Sequence, residues 1–244
     1  MKKKHLTYPV LAVCLCMLCV INACQQDEEV LTENHQFVDD GAWLDITIPE
    51  DASQMSAEDL NILMQGFLRL DIQLNEDGLY EVTQQSGEEV NMSEELFEYL
   101  VQMVKGSNRW NPTPSIAKIK TRSESEDGQM TDCVAWAIAY ATNEKYEDVN
   151  SWITEKYKGQ GVPANEFYSV MRHFNSKGEI ISPSEFKGLS IDAHNAKQYI
   201  IVLNNEHAVN LELKQTDSII YWDAQNRTRS FCTMDDITHV YKLK

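Results

Sequence analysis

The sequence predicts an α+β fold, and three observations carry that prediction. The carboxy-terminal half opens with helical periodicity and then changes to strand-like alternation. Its strand candidates follow one another through short turns, Asn204-Asn205 and Gln215-Thr216-Asp217, as antiparallel neighbours do. A smaller helix-and-strand unit precedes that half, separated from it by a stretch rich in Pro, Ser and charge. The resulting division is a signal over 1–24, an acidic tether over 25–39, a small α/β unit over 40–107, a linker over 108–128 and a larger domain over 129–244.

Lys2, Lys3 and Lys4 precede an almost unbroken apolar run from Leu6 to Ala23, the layout of a secretory signal. Ala23 before Cys24 resembles a bacterial lipoprotein processing site, which implies acylation of Cys24 and a membrane attachment through that lipid. A transmembrane anchor is the alternative, but the run is near the lower length limit for a span. Cleavage also explains why a cysteine stands there. Gln25-Gln26-Asp27-Glu28-Glu29 resembles the export signal of surface lipoproteins in the Bacteroides group, which implies an outer-membrane protein facing outward. A plain solvated tether has the same composition.

Loss of the signal removes three lysines and no acids, taking the formal charge from −17 to −20. Such a chain does not bind nucleic acid non-specifically, and an anionic membrane surface repels it except through its lipid. Of six cysteines, Cys14, Cys16 and Cys19 leave with the signal and Cys24 carries lipid. Cys133 and Cys232 remain, and two independent thiols are expected rather than a bridge.

In the small unit, Trp43 to Ile48 has the pattern of a short strand closed by Pro49. Ser56-Ala57-Glu58-Asp59 opens a helix carrying Leu60, Leu63, Met64 and Phe67 on one face. Asp77-Gly78 is a turn before a strand at Leu79–Val82, and Ser93 starts a second amphipathic helix with Leu96, Leu100 and Val104 inward. These stripes are core, and nothing in the unit carries chemistry. The linker holds Pro112 and Pro114 and the basic residues Lys118, Lys120 and Arg122. An exposed basic loop is where a trypsin-like protease would cut, near Arg122, although a plain linker reads the same way.

The larger domain begins with an acidic, polar loop that runs into Cys133-Val134-Ala135-Trp136-Ala137-Ile138. With Asp132 or Thr131 as the N-cap, Cys133 falls in the first turn of a buried helix. That position favours a thiolate, since the helix N-terminus carries partial positive charge while a free thiol has a pKa of about 8.5. The alternative is a small apolar residue filling a core helix. A second helix is expected over Glu147–Tyr157 and a third from Val162-Pro163-Ala164 through Phe174. Strands are expected at Glu179–Ser182, Tyr199–Leu203, His207–Leu213, Ser218–Asp223 and Val240–Leu243. His207 begins one strand and Asp223 ends the next, so antiparallel pairing brings imidazole and carboxylate together at one end of the sheet. Thiol, base and orienting acid make a nucleophilic triad. His173, His194 and His239 lack metal spacing, and neither metal nor cofactor is implied. Asn226-Arg227-Thr228 matches a glycosylation sequon that means little in a bacterial lipoprotein.

Cys133 at a helix start, the strand opening His207-Ala208-Val209, and Tyr221-Trp222-Asp223-Ala224-Gln225-Asn226 resemble the papain-like cysteine peptidase superfamily. Within it, the pattern is similar to the bacteriocin-processing peptidases and papain-fold effector domains. Thr233-Met234-Asp235-Asp236-Ile237 is similar to the short helical segment that follows their turn. The resemblance covers residues 125–244. It implies Cys133 as nucleophile, His207 as general base and acid, Asp223 as orienting acid, and Gln129 with the Cys133 N–H as oxyanion donors. It further implies a protein or peptide substrate, with residues 40–107 as a prodomain released by a cut near Arg122. A glutamine deamidase or acyl transferase would use the same triad, and an inactive papain-like surface binding module would keep the scaffold without the chemistry.

Overall fold

The computed structural model describes residues 41–108, 130 and 132–244; Cys24, Arg122, Gln129 and Thr131 lie outside them. Helix α1 (Ala57–Arg69) starts with a capping box: the Ser56 hydroxyl accepts from the Asp59 N–H, and the Asp59 carboxylate accepts from the Ser56 N–H. Helix α2 (Glu94–Ser107) starts at Ser93 and buries Leu96, Leu100, Met103 and Val104. The two helices approach closely, so that a Cβ at Gly66 would lie 2.8 Å from Leu100 Cδ1. Between them β1 (Ile72–Leu74) and β2 (Tyr80–Val82) form a short antiparallel hairpin.

The strand expected over Trp43–Ile48 does not form. Leu44 alone bridges to Met92, through Leu44 N–H to the Asn91 carbonyl and Ser93 N–H to the Leu44 carbonyl. Leu44 and Ile46 are buried while Trp43 is exposed, so the alternation reflects chain laid across the helix pair rather than a ladder.

The carboxy-terminal part begins with α3 (Cys133–Thr142), α4 (Tyr146–Tyr157) and α5 (Phe167–Phe174). Val162 does not start the third helix; it exchanges backbone bonds of 2.7 and 3.1 Å with Met130, and the helix proper waits until Phe167. Among the described residues, six strands follow: β3 (Glu179–Ile181), β4 (Tyr199–Leu203), β5 (His207–Gln215), β6 (Ser218–Asp223), β7 (Thr228–Thr233) and β8 (Ile237–Lys242). All pairings are antiparallel, in the order β3-β8-β4-β5-β6-β7. The fold is α+β. Two short helices, α6 (Pro183–Lys187) and α7 (Ala193–Ala196), were not anticipated.

Alternation along β4 separates two cores. Ile200 and Val202 pack with Ala208, Tyr241 and the helices α3 to α5. Ile201 and Leu203 pack with Val209, Leu211, Tyr221 and Val240, together with Phe186 of α6. Strand β5 is therefore buried from His207 to Lys214 rather than half-solvated.

A third cluster joins α1 and α2 to the sheet through Leu213, Ile220 and Phe231. The β5–β6 register slips between Leu211 and Leu213, leaving Glu212 as the extra residue of a bulge. Its carboxylate is held by Arg229 of β7 through Nε and, at 2.7 Å, through Nη2. The same guanidinium donates to the Tyr99 hydroxyl, the Ala52 carbonyl and Met55 Sδ, and Ser230 Oγ donates to the Met103 carbonyl. Residues 41–108 are thus fastened to the sheet inside one compact unit, Asp39–Lys244. Among the described residues, no helix is long and apolar enough to cross a membrane.

Candidate active site

Cys133 is the first residue of α3, where the uncompensated N–H groups of the helix end supply positive potential. Asp132 stands at the N-cap position but has right-handed helical dihedrals (φ −92°, ψ −21°), and its side chain makes no capping bond. The expected side-chain cap at Asp132 is therefore absent. The helix is set instead by contacts with β5. The Ala208 N–H donates to Cys133 Sγ at 3.4 Å, and Asn210 Nδ2 donates to the Ala137 carbonyl at 2.9 Å. Two strand residues advance about 6.6 Å and four helical residues about 6 Å, so the two contacts keep step along the pair. No residue pattern signals the first of these, because its donor is main chain.

His207 opens β5 and Asp223 closes β6, at the same end of the sheet as the first turn of α3. The imidazole Nε2 meets Asp223 Oδ2 at 2.8 Å, and the ring is hydrogen-bonded to Cys133 on its other side. With Nε2 engaged by the carboxylate, Nδ1 is the ring nitrogen left for the sulfur. Cys133, His207 and Asp223 are 2%, 1% and 3% exposed, so the interactions run in a low-dielectric setting.

Electrostatics follow from this packing. Burial alone pushes the imidazole down, but its bonds to Asp223 and Cys133 outweigh burial and raise its pKa to about 9. Burial alone pushes the Asp223 carboxyl up, whereas His207 and Asn226 hold it below the usual carboxylate range. Asp223 Oδ1 accepts the N–H groups of Gln225 and Asn226, each at 3.1 Å, and Oδ2 accepts Asn226 Nδ2 at 2.7 Å. Asn226, which in the sequence ended the Tyr221–Asn226 motif and opened a sequon but was given no role at the site, fixes the carboxylate. Its signal was present as an Asp with an Asn three residues on, the spacing of a side-chain-closed turn.

Comparison with family models, with curated proteins and with solved structures gives no match for this chain. The chemistry is read from the geometry.

Of the predicted site residues, Cys133, His207 and Asp223 come together, while Gln129 lies outside the described residues. Cys232 sits apart on β7, in the apolar cluster with Val209, Leu211 and Tyr221, and both thiols are free. His173 stacks on Trp152 at 3.9 Å, and His239 packs on Tyr168, which accounts for both rings as packing groups. A thiol, an imidazole hydrogen-bonded to it and a fixed carboxylate form the group set for nucleophilic acyl chemistry.

Proposed function

We propose that the chain is a papain-like thiol hydrolase that cleaves peptide bonds in a protein or peptide substrate, held at the outer membrane surface by a lipid on Cys24. The observation that carries this reading is the His207 imidazole held between the Cys133 sulfur and the Asp223 carboxylate. A nucleophile heading a helix, with base and acid on adjacent strand ends, supports the papain-like assignment over a core cysteine.

In the mechanism, Cys133 Sγ attacks the scissile carbonyl carbon as a thiolate and forms a C–S bond. The Cys133 N–H, at the helix start, is one donor to the resulting oxyanion, and Gln129 is the expected second. His207 passes its proton to the leaving amine as the C–N bond breaks, which leaves a thioester on Cys133. Water then attacks the thioester and gives one proton to His207. The C–S bond breaks and the acid product departs, restoring the thiolate beside the imidazolium. Asp223 holds the ring with Nδ1 toward the sulfur throughout. Cys133 is nearly covered, so attack requires a local opening around the first turn of α3.

The test is alkylation of the mature chain with iodoacetamide near pH 6, followed by peptide mapping. Cys133 is expected to react at least about 10²-fold faster than Cys232, and Cys133→Ala to abolish peptide turnover. Slow and equal labelling of both cysteines would leave a binding module on an inactive scaffold.

A further inference from the structure

A cavity of about 350 Å³ lies between α2 and the hairpin of β6 and β7, and the chemistry above does not use it. Asp223 forms part of its wall, so the cavity begins where the triad ends. Tyr99, Gln102 and Lys105 line it from α2 at three-residue spacing, which puts them on one helix face. Arg227, Thr228 and Arg229 line it from the hairpin.

Its charges are not balanced. Arg229 is neutralised by Glu212, and Asp223 by His207. Lys105 and Arg227 are exposed, and neither makes an ion pair among the described residues, in a chain with 38 acids against 21 Lys and Arg. Asp51, the acid that senses Arg227, is bonded to Ser53 and Gln54 instead. The Tyr99 hydroxyl accepts from Arg229 at 3.0 Å, which leaves its own hydrogen to donate. Among the described residues, two cations and a hydroxyl donor therefore line the cavity without a hydrogen-bonded acceptor. Arg227 also holds a left-handed backbone (φ 54°), a conformation that Asn or Gly adopts with less strain. A strained arginine beside a cavity is a feature associated with function.

We infer that this cavity receives the carboxylate side chain of an acidic residue in the peptide substrate. The inference rests on the peptide-cleaving reading and names its specificity. The path from Cys133 Sγ to Asp223 crosses two hydrogen bonds and one imidazole ring, roughly 8 Å. An extended chain advances about 3.3 Å per residue, so the acidic residue lies at least two positions from the scissile bond.

The test uses the mature chain carrying Cys133→Ala, so that bound peptide is not turned over. Fluorescent peptides that carry Glu, Gln or Lys at successive positions are titrated and followed by anisotropy. At one position Glu is expected to bind at least tenfold more tightly than Gln, with Lys weakest. Lys105→Gln and Arg227→Gln should each remove most of that preference. Arg227→Asn should raise Tm while weakening the Glu peptide, because it relieves the backbone and removes the cation. Equal binding of Glu and Gln peptides, or a preference that survives the double variant, overturns the inference. So does inorganic phosphate binding through Lys105 and Arg227 while the peptides ignore them, since the site then serves a free anion. The alkylation experiment separates the two readings. Fast Cys133 labelling without a Glu preference sinks this inference alone, whereas a Glu preference with an inert Cys133 keeps the acidic-peptide site and removes the hydrolase.

Discussion

Cys133 and Cys232 are both buried, both free and both within the same compact unit, yet their surroundings differ in every respect that governs sulfur chemistry. Cys133 has a helix N-terminus behind it, a main-chain N–H donating to its sulfur and an imidazole hydrogen-bonded to it. Cys232 lies on a strand among aliphatic and aromatic side chains, where burial, reinforced by Asp236, pushes its thiol far above the ordinary range. Burial therefore does not by itself set the electrostatic surroundings of a cysteine. The donors and charges buried with it do.

The largest effect that sharpens this contrast is expected from alanine at each sulfur. Cys133→Ala should lower peptide turnover by at least about 10⁴-fold, while Cys232→Ala should leave it within about threefold. Asp223→Asn comes next, with kcat/KM falling by roughly 10²- to 10⁴-fold, because an amide presents a donor to Nε2 and misdirects the ring. His207→Gln should also bring the alkylation rate of Cys133 down toward that of Cys232.

Arg229 lies three residues before Cys232 on the same strand and supplies a structural counterpart. Arg229→Ala should cost about 3–5 kcal/mol in urea unfolding, since it leaves the Glu212 carboxylate buried and unpaired. Replacing both partners with apolar residues (Arg229→Met with Glu212→Leu) should recover much of that loss.

A smaller effect is expected from pH. The folded pKa of His207, about 9, lies above its unfolded value near 6.5. Its contribution to stability is therefore present in full below about pH 6.5 and is lost as pH rises through about 9. Asp223 behaves in the opposite sense: its depressed folded pKa gives stability above its unfolded value, lost as pH falls through the folded one. Tm measured against pH should decline on the alkaline side in the natural chain and flatten in His207→Gln. The alkaline limb of kcat/KM should have its midpoint near 9, where the proton for the leaving amine is lost. The smallest expected effect is the stability cost of Cys232→Ala itself, about 1–2 kcal/mol from the space left in the β7 core.

Much of this arrangement was legible along the chain because it depends on local periodicity. The Ser56 cap, the strands Tyr199–Leu203 and Ser218–Asp223, and the turn at Thr216 follow from patterns a few residues long. The meeting of His207 with Asp223 was also readable, since it needs only two strands and one hairpin. Strand β7 was not, because Arg229 and Ser230 interrupt its apolar alternation and are buried only through partners far away in sequence. The Cys133–Ala208 contact spans 75 residues and uses a main-chain donor, so no residue type announces it. Trp43–Ile48 misled for the converse reason: its alternation is real, but what it faces is a helix pair instead of a neighbouring strand.

The guanidinium of Arg229 reaches one partner on the sheet and three on the amino-terminal segment, and Phe231 inserts between the same two layers. A protease that severed the chain near Arg122 would therefore yield two fragments that co-elute as one particle and part only in denaturant. Conversely, the two halves expressed as separate polypeptides should find each other, which makes this molecule a natural candidate for a split reporter.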